Sequence, residues 1–245
     1  TWETKASADL YRRIGDAVLT VDFEPGFAGA ANAYARQLGE ADEAGAYVLP
    51  AVAFQHDGYG FTGWTGTWKR TGSAAASEYW YEARDESGAW SGTRVSLGVP
   101  QAGRPFANGA KIPDGARVSL AAMLALFPEE AGAHATLTAT WEAKIYTLTR
   151  DYAWRGEPAS EPWTYRISDS YQEIPSPVRT GYVFAGWTGP GAVERDGGVW
   201  AMAPGTWGDI TWTARWTPTS HKVTYDMKGA YAYMGTTPGW GEVQG

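Results

Sequence analysis

Gly181-Tyr182-Val183-Phe184-Ala185-Gly186-Trp187 decides how this chain is read, because Gly58-Tyr59-Gly60-Phe61-Thr62-Gly63-Trp64 repeats it at five of seven positions. Internal repetition constrains architecture before any single element does. Working outward, a proline turn precedes each copy, Leu49-Pro50 in the first and Ile174-Pro175 in the second. Each copy opens on a strand-like segment, residues 18–23 (VLTVDF) and 145–151 (IYTLTRD), and closes at Trp141 or Trp216. Residues 222–227 (KVTYDM) resemble a third opening segment. Thr1-Trp2-Glu3-Thr4-Lys5 resembles Thr140-Trp141-Glu142-Ala143-Lys144 and reads as the tail of a preceding copy.

The spacings define the units. Trp141 and Trp216 lie 75 residues apart, one compact repeat, whereas Trp2 and Trp141 lie 139 apart. Trp187 precedes Trp216 by 29 residues and Trp64 precedes Trp141 by 77, so the first copy carries 48 additional residues. They read as an insertion at about residues 65–130, since no second signature lies within it. Inside it, residues 78–83 and 94–99 flank Asp85-Glu86-Ser87-Gly88, the pattern of a hairpin with a polar turn. Residues 119–127 (SLAAMLALF) read as a helix stopped by Pro128, and the alanine-rich span 28–44 is a second helix candidate. The second copy has no comparable helical stretch.

Strict alternation in the closing segment puts Ile210, Trp212, Ala214 and Trp216 on one face of a half-buried strand. Leu137, Ala139 and Trp141 repeat that face in the first copy. The same alternation through the signature puts Tyr182 with Phe184, and Val183, Ala185 and Trp187 opposite them. Gly63 and Gly186 leave room for a neighbouring ring or a bulge. Each buried indole removes roughly 150–250 Å² from water, a gross gain of several kcal/mol. A few such rings can hold a 75-residue unit together.

Composition agrees. The chain of 245 residues is 44% hydrophobic, with 14 Trp, 14 Tyr, 31 Gly and 14 Pro, which suits pleated sheets joined by frequent turns. A net charge of −7 argues against nucleic acid and anionic membrane as partners. No apolar run approaches the roughly 20 residues of a membrane span. The absence of cysteine excludes disulfides and thiolate chemistry. With no leader at Thr1 and no wall-sorting motif at Gly245, the chain reads as a fragment whose signal peptide and anchor lie elsewhere.

These residues resemble the Listeria–Bacteroides repeat of bacterial surface proteins, found in internalin-type invasins. The resemblance rests on Pro177-Val178-Arg179-Thr180-Gly181-Tyr182-Val183-Phe184-Ala185-Gly186-Trp187 and Ile210-Thr211-Trp212-Thr213-Ala214-Arg215-Trp216. The first copy keeps the glycines and aromatics but has His56-Asp57 in place of Arg-Thr. The resemblance implies an α+β, mostly β fold of tandem β-grasp (ubiquitin-like) modules, the first with an inserted hairpin and helix region. It implies an extracellular, cell-surface or wall-attached location, and a stalk, spacer or adhesin role without catalysis or cofactor.

The expected organisation is a preceding tail at 1–17, a first domain at 18–143, a second at 144–219 and a truncated third from 220–245. No catalytic, metal or cofactor constellation stands out. His56, His134 and His221 have no paired ligand spacing, and Gly58-Tyr59-Gly60-Phe61-Thr62-Gly63 lacks the helix that a dinucleotide turn must open. The acidic pairs Asp42-Glu43, Asp85-Glu86 and Glu129-Glu130 lie in turn-like surroundings and read as solvated charge. The candidate ligand-binding residues are Trp68, Tyr79, Trp80, Tyr81 and Trp90 of the insertion, whose rings can stack on a glycan or peptide if exposed. The plainer reading is that they build the insertion's own core. The expected state is a monomer whose partner is a host or bacterial surface glycan or protein.

Overall fold

The computed structural model describes residues 19–29, 33–73, 75–130, 132–156, 162–220 and 222. The chain divides into two compact units, residues 1–142 and 143–245. The expected tail at 1–17 and nearly all of the expected third copy lie outside the described residues. What is described is mostly β, with a single α-helix.

In chain order the first unit contains β1 (Thr20–Glu24), β2 (Tyr34–Gln37), β3 (Ala46–Val48), β4 (Tyr59–Thr65), β5 (Trp80–Arg84), β6 (Trp90–Ser96), β7 (Arg117–Ser119), α1 (Leu120–Leu126) and β8 (Ala135–Ala143). Its main sheet has the order β2-β1-β8-β4, with β1 antiparallel to β2 and parallel to β8. A second, antiparallel sheet has the order β3-β7-β5-β6. Phe23, Trp64, Trp68, Ile112, Met123 and Leu137 belong to its buried core.

The second unit contains β9 (Tyr146–Asp151), β10 (Trp163–Tyr165), β11 (Gln172–Glu173), β12 (Tyr182–Thr188), β13 (Ala192–Arg195), β14 (Val199–Met202) and β15 (Ile210–Pro218). Its main sheet runs β10-β9-β15-β12, again with the opening strand parallel to the closing one. A small antiparallel sheet, β11-β14-β13, contributes Met202 to a core shared with Leu148, Trp187 and Trp212 of the main sheet. The two units therefore have one strand order and one set of strand directions at their centres.

Registers make the correspondence residue-specific. Val21 faces Ala135 across the parallel pair as Leu148 faces Ile210, and both Val21 and Leu148 are fully buried. The signature tryptophans Trp64 and Trp187 are 0% and 2% exposed. The turn before each signature is closed by the same bond, Tyr59 N–H to His56 O at 3.0 Å and Tyr182 N–H to Arg179 O at 3.2 Å. Gly58 and Gly181 occupy the third turn position at φ +78° and +80°, which a side chain disfavours.

The additional residues of the first unit fall in two places rather than one. Leu49 N–H donates to Ala116 O as Ile174 N–H donates to Trp200 O, which aligns β7 with β14. From Trp64 to Ala116 is 52 residues against 13 from Trp187 to Trp200, and this surplus holds the β5–β6 hairpin. From Ala116 to Leu137 is 21 residues against 12 from Trp200 to Trp212, and this smaller surplus holds α1. Ser119 caps that helix by accepting the Ala122 N–H.

Two expectations need correction. The span 28–44 contains no helix among its described residues; Tyr34–Gln37 form the edge strand β2. Alanine content favours helix, but Tyr34 stacks on Phe23 with ring centroids 5.3 Å apart, and Leu38 N–H bonds Leu19 O at 2.8 Å. Packing and ladder bonds outweigh propensity there. The signature's faces also differ from strict alternation, because the β12–β15 register shifts between Phe184 and Gly186. The extra residue, Ala185, brings Trp187 onto the side of Phe184, with ring centroids 5.4 Å apart. Gly186, at φ +124°, makes the bend, and a Cβ there would collide with the Trp200 ring.

Candidate functional site

The elaboration unique to the first unit is the β5–β6 hairpin and the face it adds. Glu82 pairs with Arg94 on one side and Arg117 on the other, and Arg84 pairs with Trp90. Side-chain alternation therefore puts Trp80, Glu82 and Arg84 together with Trp90, Arg94, Arg117 and Ser119 on the outer face. On the inner face Tyr81 stands opposite Val118, which is fully buried in the core.

On the outer face guanidinium and indole groups alternate. The Arg84 guanidinium carbon lies 4.0 Å from the Trp90 ring centroid, and Arg117 lies 4.7 Å from the same ring. Arg117 is 6.0 Å from the Trp80 centroid, and Arg94 is 4.0 Å from it. Flat, weakly hydrated guanidinium groups suit such stacking. Beneath them Glu82 is only 2% exposed. Arg117 donates to Glu82 Oε2 through Nε at 3.1 Å and Nη2 at 2.8 Å, and to Asp42 Oδ2 through Nη1 at 2.8 Å. The Gly92 N–H supplies Glu82 Oε1 at 2.7 Å, so both oxygens are satisfied.

The electrostatics follow from that geometry. The Arg117 hydrogen bonds hold the Glu82 carboxyl below its usual range, against the opposing effect of burial, with help from Gly92. Burial pushes Asp42 upward, but Arg117 and the backbone N–H groups of Ala46 and Ala44 outweigh it, and its carboxyl is also lowered. Bonding to Glu82 and then to Asp42 raises Arg117. Asp85 is lowered by the Ser87 hydroxyl and by backbone donors of the β5–β6 turn, so it acts as a turn residue.

The five aromatic candidates do not form one platform. Trp68 and Tyr79 are core residues, with Trp68 edge-on to Phe106 at 4.9 Å and to Tyr79 at 6.1 Å. Tyr81 packs against the core from the inner face, and burial pushes its phenol upward. Trp80 and Trp90 share the outer face, where arginines cover them. The arginines were missed as site residues. The available signal was the alternation that places Trp80 with Arg84, and Trp90 with Arg94, on one face of the expected hairpin.

A shallow, open depression of about 350 Å³ lies beside Trp80 and is lined by Arg94, Glu78, Ser77, Ser119, Ala44 and Gly45 among others. Ser119 Oγ is already committed, donating to Glu78 O at 2.7 Å and accepting from Trp80 N at 3.3 Å. Arg94 makes no salt bridge among the described residues.

Both units also hold a nitrogenous group within an aromatic box. In the second, the Arg179 guanidinium lies 3.6 Å from the Tyr182 centroid, 5.5 Å from Trp154 and 5.9 Å from Trp216. In the first, the His56 ring stacks on Phe27 at 3.8 Å and on Tyr59 at 4.1 Å, with Trp141 edge-on at 5.5 Å. His134 Nδ1 pairs with Asp22 at 3.0 Å on the surface, and His221 lies outside the described residues. Among the described residues no group of His, Asp and Glu could hold a metal, and no helix is long and apolar enough to cross a membrane. Residues 58–63 form a turn and the start of β4, not a strand-to-helix phosphate loop.

No protein-family model, no curated protein and no solved structure matches the chain.

Proposed function

We propose that the chain is a non-catalytic tandem-repeat segment of an exported bacterial surface protein, serving as a spacer. One observation carries the repeat reading. Trp141 donates its indole N–H to Pro25 O at 2.7 Å, Trp216 donates to Tyr152 O at 2.7 Å, and each acceptor is the first residue after the opening strand. Such a bond spans the unit from its opening to its closing strand, and its recurrence supports descent of both units from one module.

The mixed main sheet, with opening and closing strands parallel at its centre, supports assignment to the β-grasp class and kinship with the Listeria–Bacteroides repeat. In the second unit a small sheet rather than a helix completes the core. The spacer role rests on the junction: β8 ends at Ala143 and β9 begins at Tyr146, leaving only Lys144 and Ile145 between them.

Small-angle scattering of the whole chain tests the role. A spacer gives a radius of gyration well above the roughly 18 Å of a compact globule of this length. A value near that figure overturns it.

A further inference from the structure

Beyond the spacer role, we propose that the depression beside Trp80 is a binding site for a short zwitterionic peptide or free amino acid, with Arg94 receiving its carboxylate and Glu78 its ammonium group. Three observations converge on this ligand class. The first is the state of Arg94. Its guanidinium carbon lies over the Trp80 ring, 4.0 Å from the centroid, and Trp80 is itself 6% exposed. A stacked guanidinium keeps its N–H donors at the edge of its plane, already oriented for a carboxylate. Glu82, the acid that faces Arg94 across β5 and β6, is hydrogen-bonded by Arg117 and Gly92; Arg94 makes no salt bridge with it and acts on it only through space, as the least of the charges lowering its carboxyl.

The second is the sign of the lining. The lining holds one cationic residue, Arg94, one anionic residue, Glu78, and two serines, Ser77 and Ser119, of which the Ser119 hydroxyl is spent on the backbone. A lone anion such as phosphate meets the Glu78 carboxylate, and a lone cation meets Arg94. A molecule carrying both charges satisfies both walls. The third is size and shape. A shallow, open depression of about 350 Å³, lined in part by Ala44 and Gly45, has room for a small aliphatic ligand. Arginines lie over Trp80, which leaves no open ring face for a sugar to stack on.

The site lies beside the β5–β6 elaboration, which has no counterpart among the described residues of the second unit. A spacer with a recognition site in one repeat differs from a uniform stalk. Ligand binding is independent of particle shape, so either reading can fail alone.

The experiment is a titration of the full chain with L-alanyl-L-alanine, followed by ¹H–¹⁵N correlation spectra. The expected result is saturable shifts at Ala44, Gly45, the Trp80 indole and Arg94 Nε. N-acetyl-L-alanyl-L-alanine, which lacks the ammonium group, and L-alanyl-L-alaninamide, which lacks the carboxylate, should each bind at least about tenfold more weakly. Free L-alanine distinguishes the two sources: affinity equal to the dipeptide assigns the site to single amino acids, and weaker affinity assigns it to peptides. Arg94→Met and Glu78→Gln should each abolish the shifts, with the signals of Trp64, in the core of the same unit, confirming an intact fold. The proposal is overturned by no saturable shift, by equal binding of the blocked dipeptides, or by shifts that persist in both variants.

Discussion

Trp216 donates its indole N–H to the carbonyl oxygen of Tyr152 at 2.7 Å, tying the end of β15 to the end of β9. Trp141 makes the same bond to Pro25 between β8 and β1. In both units the ring also lies edge-on to the signature phenylalanine, at 5.6 Å from Phe184 and 5.7 Å from Phe61. Phenylalanine at this position keeps a ring but strands the carbonyl. Trp216→Phe and Trp141→Phe should each destabilise the unit that carries them by about 1–3 kcal/mol. Urea unfolding followed at unit-specific amide signals reads the change, and an effect spread equally over both units contradicts the assignment.

The bend at Gly186 is the more sensitive position. Its φ of +124° is disfavoured for any other residue, and the Trp200 ring fills the space a Cβ needs. Gly186→Ala should cost at least about 2 kcal/mol, because the strained backbone and the blocked ring cannot relax together. Gly39 supplies the contrast, with nothing within 4 Å and no positive φ, so Gly39→Ala should change stability by less than about 0.5 kcal/mol. Thermal melts of the two variants decide it.

The landmarks legible in the sequence were those fixed by local pattern. Alternation found the closing strands, Asp85-Glu86-Ser87-Gly88 marked the β5–β6 turn, and Pro128 marked the stop after α1. What escaped depended on partners distant in the chain. Residues 34–37 look helical until Phe23 and Leu19 are brought beside them. Gly186 marked room for a ring or a bulge, but alternation alone does not show that the inserted residue turns Trp187 to the side of Phe184. The cover over Trp90 was not legible locally, because Arg117 arrives from 27 residues beyond it. The matched aromatic boxes were hidden for the same reason, since each assembles residues from three separate parts of its unit.

The outer face of β5, β6 and β7 makes stability depend on acid. Glu82 and Asp42 both have carboxyls lowered in the folded chain. A lowered carboxyl contributes stability that is complete above its unfolded value, about 4, and is lost as pH falls through the folded value. The first unit should therefore lose stability below about pH 4, and Glu82→Gln should flatten that decline. Arg117→Met removes the shared partner of both acids while leaving Glu82 buried, so its melting midpoint at pH 7 should fall by about 5 °C or more. Melting curves from pH 7 to pH 3 for wild type and both variants provide the measurement. An unchanged acid limb in Glu82→Gln contradicts the assignment.

The aromatic boxes offer a substitution that should improve the chain. His56 occupies in the first unit the place of Arg179 in the second, directly before the matched turn. Its ring lies between Phe27 and Tyr59, but its Nδ1 is buried without a hydrogen-bond partner. The Arg179 guanidinium instead meets three rings as a permanent cation. Stacking of that kind is worth about 0.5–2 kcal/mol, depending on how far the cation is shielded from water. Arg179→Ala should cost the second unit about 1–2 kcal/mol by this term and by exposure of the Trp154 and Trp216 faces. His56→Arg should stabilise the first unit by about 0.5 kcal/mol, because it gains a cation–π contact and removes the unpartnered nitrogen. Chemical denaturation at pH 7 separates the outcomes. A loss of stability in His56→Arg comparable to that of Arg179→Ala means that the two boxes are not equivalent, and the residue-by-residue correspondence of the units fails at this position.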